Sequence, residues 1–567
     1  MKLSALLTSA GINIGFSALF FCLYSILRKQ PGNLYVYFGR RLNQDENDEY
    51  SDPFTLERFV PSASWIVKAW ELSEEELLSI GGLDAVVFLR IFVFSIRVFS
   101  IAAIVCVFGV LPVNYYGQAM QHKYISAESL DVFTIANIQG GSSWLWVHCI
   151  ALYIITLSTC SLLFSEYRAI AKLKLDHITG SPPNPCHFTI LVRSIPKSPG
   201  LPLNEIIKNF FINYHGLSYL SHQIIRRRGR FQKIMVQLKE DRPQPSRYSK
   251  KGNVFHSIAE QMIHFHVKLR LINGSLSWEQ ECSAAFVFFK TRYAAIVASK
   301  VLHTSNPMVW VTEMAPAPND VYWPNLWIPY GQLWIRRIAT LLASILFMFM
   351  FLIPVTFVQG LTQLEQLQQI LPLLKIIPNT DFVIQFVSGY LPSFILSLFL
   401  YSVPPTMMLF STVEGPTSRS EKKRSACCKI LYFTIWNVFF VNVLSGSVIS
   451  QLNVISSPKE IPAQLAKAVP RQATFFITYV LTLGWTSLST ELMQLCSLLL
   501  HSLRKYVLGS KEDPTFVPTF PYHTEVPRVL LFGLLGFTCS ILAPLILPVL
   551  LVYFFLGYLV YRNQVNI

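Results

Sequence analysis

The chain has 567 residues, of which 52% are hydrophobic and only 14% are charged, and its mean hydropathy is +0.42. This composition excludes a soluble multidomain enzyme and predicts a polytopic α-helical membrane protein. The net charge of +15 does not by itself indicate nucleic-acid binding, because the cytosolic loops of membrane proteins collect Lys and Arg. The sequence contains no P-loop, HExxH, GxSxG or paired CxxC motif, and its twelve histidines lack metal-ligand spacing. We therefore expect no enzyme activity, no catalytic residue, no cofactor and no metal site.

The first part of the chain, residues 1–165, is predicted to be a membrane region with three spans. Leu3–Leu27 is an apolar run followed by a basic segment, and this asymmetry places the N-terminus outside. A capping-box pattern at Ser73–Glu76 begins a helix whose membrane-spanning part is expected near Val98–Val113. Trp144–Phe164 is the third apolar segment and returns the chain to the cytosol.

Residues 166–335 form one large polar insert, which holds roughly half of all Lys and Arg residues and is therefore predicted to be cytosolic. Its strand and helix patterns alternate as βαβ–βαβ, which predicts a ferredoxin-like (RRM-like) α+β domain. The predicted elements are strand 187–196, helix 203–214, strand 219–225, a helix near 254–271, strand 283–291, helix 293–304 and strand 308–314. The basic run at 226–230 is typical of a surface that faces lipid headgroups, so no nucleic acid is expected as a partner.

The last part, residues 336–567, is predicted to be a pore-forming membrane region. Its predicted spans are about 336–360, 382–410, 428–452, 472–500, 527–541 and 545–561. The apolar run 527–560 is too long for one span and has Pro544 and Pro548 in its middle, so it predicts a hairpin of two short helices. About nine transmembrane helices result, with the N-terminus outside and the C-terminus inside.

Polar residues concentrate in the predicted span 472–500, which carries Glu491. A carboxylate within a membrane costs about 2.5–3.5 kcal/mol on insertion scales, so by default it faces a water-filled path or a partner. Gly484 lies seven residues before it, on the same helix face, and offers a place to bend or to pack closely. These residues indicate either a pore-lining helix with a hinge, or a carboxylate that reaches headgroup water beside a glycine packing contact.

Polar residues of neighbouring late spans could line the same groove, or could bond one another between helices. The pore-lining candidates are Glu491, Gln494, Thr486, Ser487, Asn437, Asn442, Gln385 and Tyr390, and the hinge candidate is Gly484.

Several segments resemble the OSCA family, also called CSC-like, of hyperosmolality- and stretch-gated calcium-permeable cation channels of plants. They are SEEELLSIGGLDAVVFLRIFVFSIRVF (73–99), LPVNYYG (111–117), FVFFKTRYAA (286–295), WVTEMAPAPNDVYWPNL (310–326), YSVPPTMMLFSTVEG (401–415), GWTSLSTEL (484–492) and APLILPVLLVYFFLGYLVYRNQ (543–564). The likeness runs from near residue 3 to the end and preserves the order of the motifs.

The resemblance implies an anoctamin-like fold, a homodimer joined through the cytosolic domain and one pore per protomer, in the plasma membrane. It also implies non-selective conduction of calcium, potassium and sodium, gated by osmotic or mechanical stress. The family's pore is formed by five consecutive spans, which here are 336–360 through 527–541. Glu491 matches the family's pore-helix glutamate, and Gly484 matches its glycine.

The chain departs from the family pattern in two places. The family has eleven spans, two of them after the YRNQ motif, whereas this sequence stops at Ile567, so a C-terminally truncated form is expected. The stretch 226–282 also matches poorly. Two other functions stay open beside the channel: a phospholipid scramblase, which the same architecture could support, and a non-conducting truncated subunit.

The charge distribution predicts that residues 166–335 lie in the cytosol. Single cysteines placed in 226–282 should react with a membrane-impermeant maleimide only after the cells are permeabilised. Labelling of these positions on intact cells would contradict the predicted topology.

Overall fold

A computed structural model describes most of the chain, namely residues 3–30, 33, 36–38, 60–117, 130–139, 141–180, 182–227, 280–355, 390–443, 469–470, 472–473, 475–506 and 520–566. The chain divides into two compact units. The membrane unit comprises Met1–Thr179, Phe347–Pro404 and Cys427–Ile567, and the sheet unit comprises Gly180–Leu346 and Pro405–Ala426.

The α-helices are α1 (Leu3–Leu27), α2 (Ser64–Glu71), α3 (Glu74–Val105), α4 (Leu111–Tyr116), α5 (Leu145–Gly180), α6 (Leu203–His215), α7 (Arg292–Lys300), α8 (Tyr330–Met350), α9 (Leu391–Leu400), α10 (Val403–Val413), α11 (Arg419–Thr434), α12 (Thr486–Met493), α13 (Leu495–Tyr506), α14 (Tyr522–Leu542) and α15 (Ile546–Asn566). The strands are β1 (Thr189–Arg193), β2 (Tyr219–Arg227), β3 (Gln280–Phe289) and β4 (Val311–Met314). Wider π-helical turns lie at Cys106–Val110, Ile435–Phe440 and Val480–Trp485.

Eight helices in the described part of the chain are long and apolar enough to cross a membrane. They are Leu6–Leu27, Glu74–Tyr116, Leu145–Gly180, Tyr330–Val355, Leu391–Val413, Arg419–Val443, Tyr522–Leu542 and Ile546–Val565. This confirms the prediction of a polytopic helical membrane protein. Each of the eight corresponds to a predicted span, and the remaining predicted span, 472–500, is divided at Gln494.

The first helices follow their sequence signals closely. The apolar run and α1 have the same limits. The capping box before α3 is confirmed, because Ser73 Oγ accepts from the Glu76 backbone N–H at 3.2 Å and Glu76 Oε2 accepts from the Ser73 N–H at 2.8 Å. The third predicted span, Trp144–Phe164, lies in the first part of a longer helix. The helix α5 continues to Gly180, because good helix formers follow the apolar part until Gly180 and two prolines end it.

The later helices show where hydropathy alone misplaces a boundary. The helix α11 begins at Arg419 rather than near 428, because Ser418 Oγ accepts from the Glu421 N–H at 3.0 Å and caps a polar first turn. The predicted hairpin is confirmed, since α14 and α15 are separated only by Ala543–Leu545, around Pro544. The predicted helix near 254–271 and parts of three predicted spans, 356–360, 382–389 and 444–452, lie outside the described residues.

The sheet unit is built on four antiparallel strands in the order β2-β3-β1-β4. The predicted pairing of 187–196 with 283–291 is confirmed, since Leu191 lies opposite Phe286 in neighbouring strands. Both α6 and α7 pack on one face of this sheet, as the sequence predicts. Their apolar side chains meet those of alternate strand residues, including Ile190, Val192, Ala285, Val287 and Phe289.

The other face of the sheet is also buried, which the sequence pattern did not predict. Leu191, Phe286 and Phe288 pack there against Val321 and Leu326, from the segment that follows β4. Because both faces are covered, β1 is buried at every position instead of alternating between apolar and polar residues.

An ion pair links β1 to the edge strand β4 within the sheet unit. Arg193 Nε lies 3.5 Å from Glu313 Oε1, and the Arg193 side chain is only 5% exposed. Burial lowers the pKa of Arg193 and raises the pKa of Glu313, while the attraction between the two charges opposes both shifts. The pair therefore adds a charge contact to the backbone pairing that already joins β4 to β1.

Glycines allow close approach of the helices in the membrane unit. A Cβ atom at Gly536 would lie 2.5 Å from the Phe99 ring of α3, and one at Gly557 would lie 2.5 Å from the Phe92 ring. At Gly533, on the same helix as Gly536, a Cβ would meet nothing within 4 Å. The helix α14 thus has one glycine that packing requires and one that it does not.

Gly536→Ala should destabilise the membrane unit by about 1–3 kcal/mol, because the added methyl overpacks the contact with Phe99. Gly533→Ala is the matched control and should be neutral or slightly stabilising, because alanine is the better helix former. The measurement is the melting temperature of each variant purified in detergent. Equal melting temperatures for the two variants would contradict the packing role of Gly536.

Candidate ion pathway

The predicted pore helix is broken rather than continuous. Val480–Trp485 forms a π-helical turn, α12 follows directly, and Gln494 ends it in the left-handed conformation with φ of 47° and ψ of 45°. Such wide turns interrupt helices most often at functional sites. A non-glycine residue in the left-handed region is uncommon and ends the helix as a C-cap. The single helix expected over 472–500 is therefore corrected to two helices, α12 and α13, with the break next to Glu491.

Side chains from distant parts of the chain stabilise this break. The backbone oxygen of Glu491 accepts a hydrogen bond from Gln564 Nε2 at 2.6 Å, and that of Met493 accepts from Tyr37 OH at 2.9 Å. A helix end inside a membrane has no bulk water for its last carbonyl groups, so such partners are required. The break is consequently a specified feature that two other segments of the membrane unit complete.

Glu491 lies beside this break and is partly exposed. Gln564 Nε2 is 3.4 Å from Glu491 Oε1, and no Lys or Arg of the described residues lies within 4.0 Å of the carboxylate. Glu525 and Arg528 of α14 interact with it electrostatically from further away. Sequence reasoning selected Glu491 but missed Arg528 of α14 and Gln564 of α15.

A second carboxylate, Glu525, is almost fully buried at 3% exposure. Arg528 Nη1 donates to its Oε2 atom at 2.8 Å, and the Tyr561 hydroxyl donates to the same oxygen. A buried carboxylate without such partners would be strongly destabilising. The i,i+3 spacing of Glu525 and Arg528 in an apolar run is the sequence signal that could have revealed this pair.

The residues Tyr561–Gln564, which spell YRNQ, connect α15 to four parts of the membrane unit. Tyr561 donates to Glu525 of α14, and Arg562 donates to the backbone oxygen of Leu72 before α3. Asn563 Nδ2 donates to Tyr24 OH of α1 at 2.7 Å, and Gln564 reaches Glu491 of α12. Four successive side chains point in different directions around a helix, so one short motif can join four neighbours.

Thr486 and Ser487, two of the predicted pore-lining residues, lie on α12 but do not share a partner. Thr486 Oγ1 donates to Asn13 Oδ1 of α1 at 3.1 Å, and Ser487 Oγ donates to the Gly484 backbone oxygen at 3.1 Å. Gln494 forms the helix break, and its buried side-chain oxygen has no hydrogen-bond partner among the residues that the structure describes. The structure thus brings Thr486 to α1 rather than to the other candidate residues.

The two candidate asparagines of the span 428–452 lie close to each other. Both are fully buried, and Asn442 Nδ2 donates to the backbone oxygens of Val438 at 2.5 Å and Asn437 at 3.4 Å. Asn437 lies in the π-helical turn, and within the described ranges its side-chain oxygen has no hydrogen-bond partner. Tyr390 is buried and stacks on Phe394, whereas Gln385 lies outside the described residues.

The hinge candidate Gly484 is a close packing contact. It lies inside the π-helical turn, where a Cβ would be 2.9 Å from the Tyr553 ring and 3.3 Å from the Phe532 ring. Both rings belong to the hairpin of α14 and α15. A side chain here would have to displace a ring, so the glycine lets the wide turn approach the hairpin closely.

Three protein-family models match the two predicted membrane regions and the insert between them. Residues 336–567 match the family described as "Calcium-dependent channel, 7TM region, putative phosphate". Residues 5–166 match "Late exocytosis, associated with Golgi transport", and residues 187–325 match "Cytosolic domain of 10TM putative phosphate transporter". The chain is also 56% identical to "Hyperosmolality-gated Ca2+ permeable channel 2.1" of Arabidopsis thaliana, over 100% of this chain and 78% of that protein.

The chain belongs to the family of hyperosmolality-gated Ca2+ permeable channels. It is 54% identical to channel 2.2 of Arabidopsis thaliana over 100% of this chain and 76% of that protein. It is 44% identical to channel 2.3 of the same plant over 100% of this chain and 83% of that protein. Membership of this channel family confirms the resemblance seen in the sequence, and the family is not one of enzymes.

The hydrogen bond from Tyr561 to the buried Glu525 should contribute to the stability of the membrane unit. Tyr561→Phe removes one donor to a carboxylate that cannot reach water, which should cost about 1.5–3 kcal/mol of stability. Tyr432→Phe, at a position that is 72% exposed, is the matched control and should leave the melting temperature in detergent unchanged. If both variants have the same melting temperature as the parent protein, the hydrogen bond to Glu525 contributes nothing to stability.

Proposed function

We propose that this chain forms a cation pathway that opens under hyperosmotic or mechanical stress and passes calcium together with potassium and sodium. The relatives described above are named for gating by hyperosmolality and for Ca2+ permeability. Their identity to this chain, 44–56%, extends over its whole length, so the same activity is the natural inference.

Glu491 is the observation that carries the proposal. The residue is partly exposed in the membrane unit, and its carboxylate has no Lys or Arg of the described residues within ion-pair distance. A carboxylate in such a place attracts cations, as acidic residues do in cation-selective pores. The break in the helix at Gln494 also supports the proposal, because irregular backbone at membrane depth is tolerated where it is buried in protein or lines water.

The finer architecture is part of the same proposal. We place the pathway among the spans 336–360 through 527–541, in an anoctamin-like fold in the plasma membrane with the N-terminus outside. The strand order β2-β3-β1-β4 supports a ferredoxin-like class for the sheet unit. Two copies of the chain are proposed to join through this cytosolic unit. We also propose the division of the chain into the regions 1–165, 166–335 and 336–567.

Glu491→Gln should lower unitary conductance or weaken calcium preference, because it removes the charge that attracts cations. Gly484→Ala should instead shift the pressure for half-activation, because a methyl there meets the Tyr553 ring. Glu205→Gln on the exposed face of α6 is the matched charge control. The measurement is stretch-activated current in excised patches of cells that lack endogenous mechanosensitive channels. Unchanged conductance, selectivity and gating in Glu491→Gln would remove Glu491 from the pathway.

A lipid assay beside the current recordings tests the two alternative functions. Fluorescent lipids in proteoliposomes of the purified chain should stay accessible to dithionite only in the outer leaflet. Loss of the protected leaflet without stretch-activated current would favour a phospholipid scramblase. Surface expression without either activity would favour a non-conducting subunit.

A further inference from the structure

The helix α1 has two unlike faces. Ser9, Asn13 and Ser17 follow one another at a spacing of four residues and are 0%, 0% and 5% exposed. Leu7 and Ile14 lie on the opposite side and are 62% and 51% exposed. Positions four apart share one face of a helix, so α1 turns a polar stripe towards the protein and an apolar face outwards. In a membrane-spanning helix the outward face meets lipid, and the polar stripe needs partners within the protein.

Asn13 satisfies that need by joining α1 to the broken helix at two successive turns. Its Nδ2 atom donates to Thr482 Oγ1 at 3.3 Å, and its Oδ1 atom accepts from Thr486 Oγ1 at 3.1 Å. The same Nδ2 donates within α1 to the Ser9 backbone oxygen at 2.7 Å, which fixes the side-chain rotamer. Thr482 lies in the π-helical turn and Thr486 begins α12, so a single amide spans the junction between them.

The C-terminal half of α1 is held differently. Tyr24 is buried among Tyr37, Trp65 and Met493, and its hydroxyl accepts from Asn563. This aromatic cluster fixes α1 near the helix break by extensive apolar packing. The contact at Asn13 depends instead on two hydrogen bonds between helices, which are individually weak in membranes because the separated groups find other partners. The N-terminal half of α1 is therefore the part that can separate from the broken helix at the lower cost.

Resting on the function proposed above, we propose that Asn13 is a positioning residue for the ion pathway. It holds the junction of the π-helical turn and α12 against the lipid-facing helix α1, and membrane tension on α1 opens the pathway by separating this contact. Ser17 supports the proposal, because its buried hydroxyl has no hydrogen-bond partner among the described residues and would gain one when the stripe becomes hydrated. The aromatic cluster at Tyr24 acts as the fixed end of the movement.

Patch recordings test this role by separating gating from conduction. Thr486→Val removes one hydroxyl with little change of shape, and Asn13→Leu removes both bonds. Each should lower the pressure for half-activation, with an effect of about threefold on the ratio of open to closed channels for each bond lost, and Asn13→Leu should do so at unchanged unitary conductance. Thr490→Val is the matched control, because within the described part of the chain the Thr490 hydroxyl bonds the Thr486 backbone oxygen of its own helix. The double variant Asn13→Leu/Thr486→Val should open no more easily than Asn13→Leu alone.

Half-activation pressures equal to that of Thr490→Val in both single variants would overturn the proposal. Additive effects in the double variant would do the same, because two residues that act through one bond cannot contribute separately. Thr486→Val keeps the test valid if Asn13→Leu does not fold.

A chemical measurement distinguishes this proposal from the channel proposal. In the full chain with Asn13→Cys and Thr486→Cys, reconstituted in liposomes, the disulfide between positions 13 and 486 should form readily at rest. Its yield, measured by mass spectrometry of the linked peptide, should fall under osmotic swelling. Ile14→Cys with Thr486→Cys is the control and should give no link, because Ile14 faces outwards. A tension-dependent yield in a chain without current would refute the channel and keep the role of Asn13, whereas a yield that tension does not change would refute the role of Asn13.

Discussion

A carboxylate buried in an apolar helix bundle must be paired, and Glu525 imposes this constraint on the membrane unit. Its partners are Arg528 on the same helix and Tyr561 on the next one, so α14 and α15 have to fold back on each other at a fixed register. Tyr561 then fixes the orientation of the residues that follow it, including Asn563 and Gln564. The helix break at Gln494, the anchor of α1 at Tyr24 and the start of α3 all receive a hydrogen bond from this one segment.

The same demand for partners explains how α12 can end inside the membrane unit. The backbone oxygens of Glu491 and Met493 at the break accept hydrogen bonds from Gln564 and Tyr37. The break leaves Glu491 partly exposed beside the left-handed turn at Gln494.

Close packing and hydrogen bonds stabilise different sides of the broken helix. On one side Gly484 permits contact with the rings of Tyr553 and Phe532, so the hairpin fits against the wide turn without a gap. On another side Thr482 and Thr486 meet Asn13 through hydrogen bonds. Apolar packing in lipid gives no net hydrophobic gain between helices, so directional bonds and small residues decide which helices stay together.

The sequence by itself determined the number and class of most elements, because hydropathy, capping and proline placement are local signals. The limits of α1, the capping box at Ser73 and the hairpin around Pro544 follow from residues close in the chain. The pairing of β1 with β3 follows from the βαβ–βαβ order of the predicted elements. It also selected Glu491, because a charge in an apolar run stands out. Only the tertiary structure decided what surrounds that charge. Gln564 is 73 residues away in sequence and Asn13 is 473 residues from Thr486, and no local pattern links positions that only helix packing brings together.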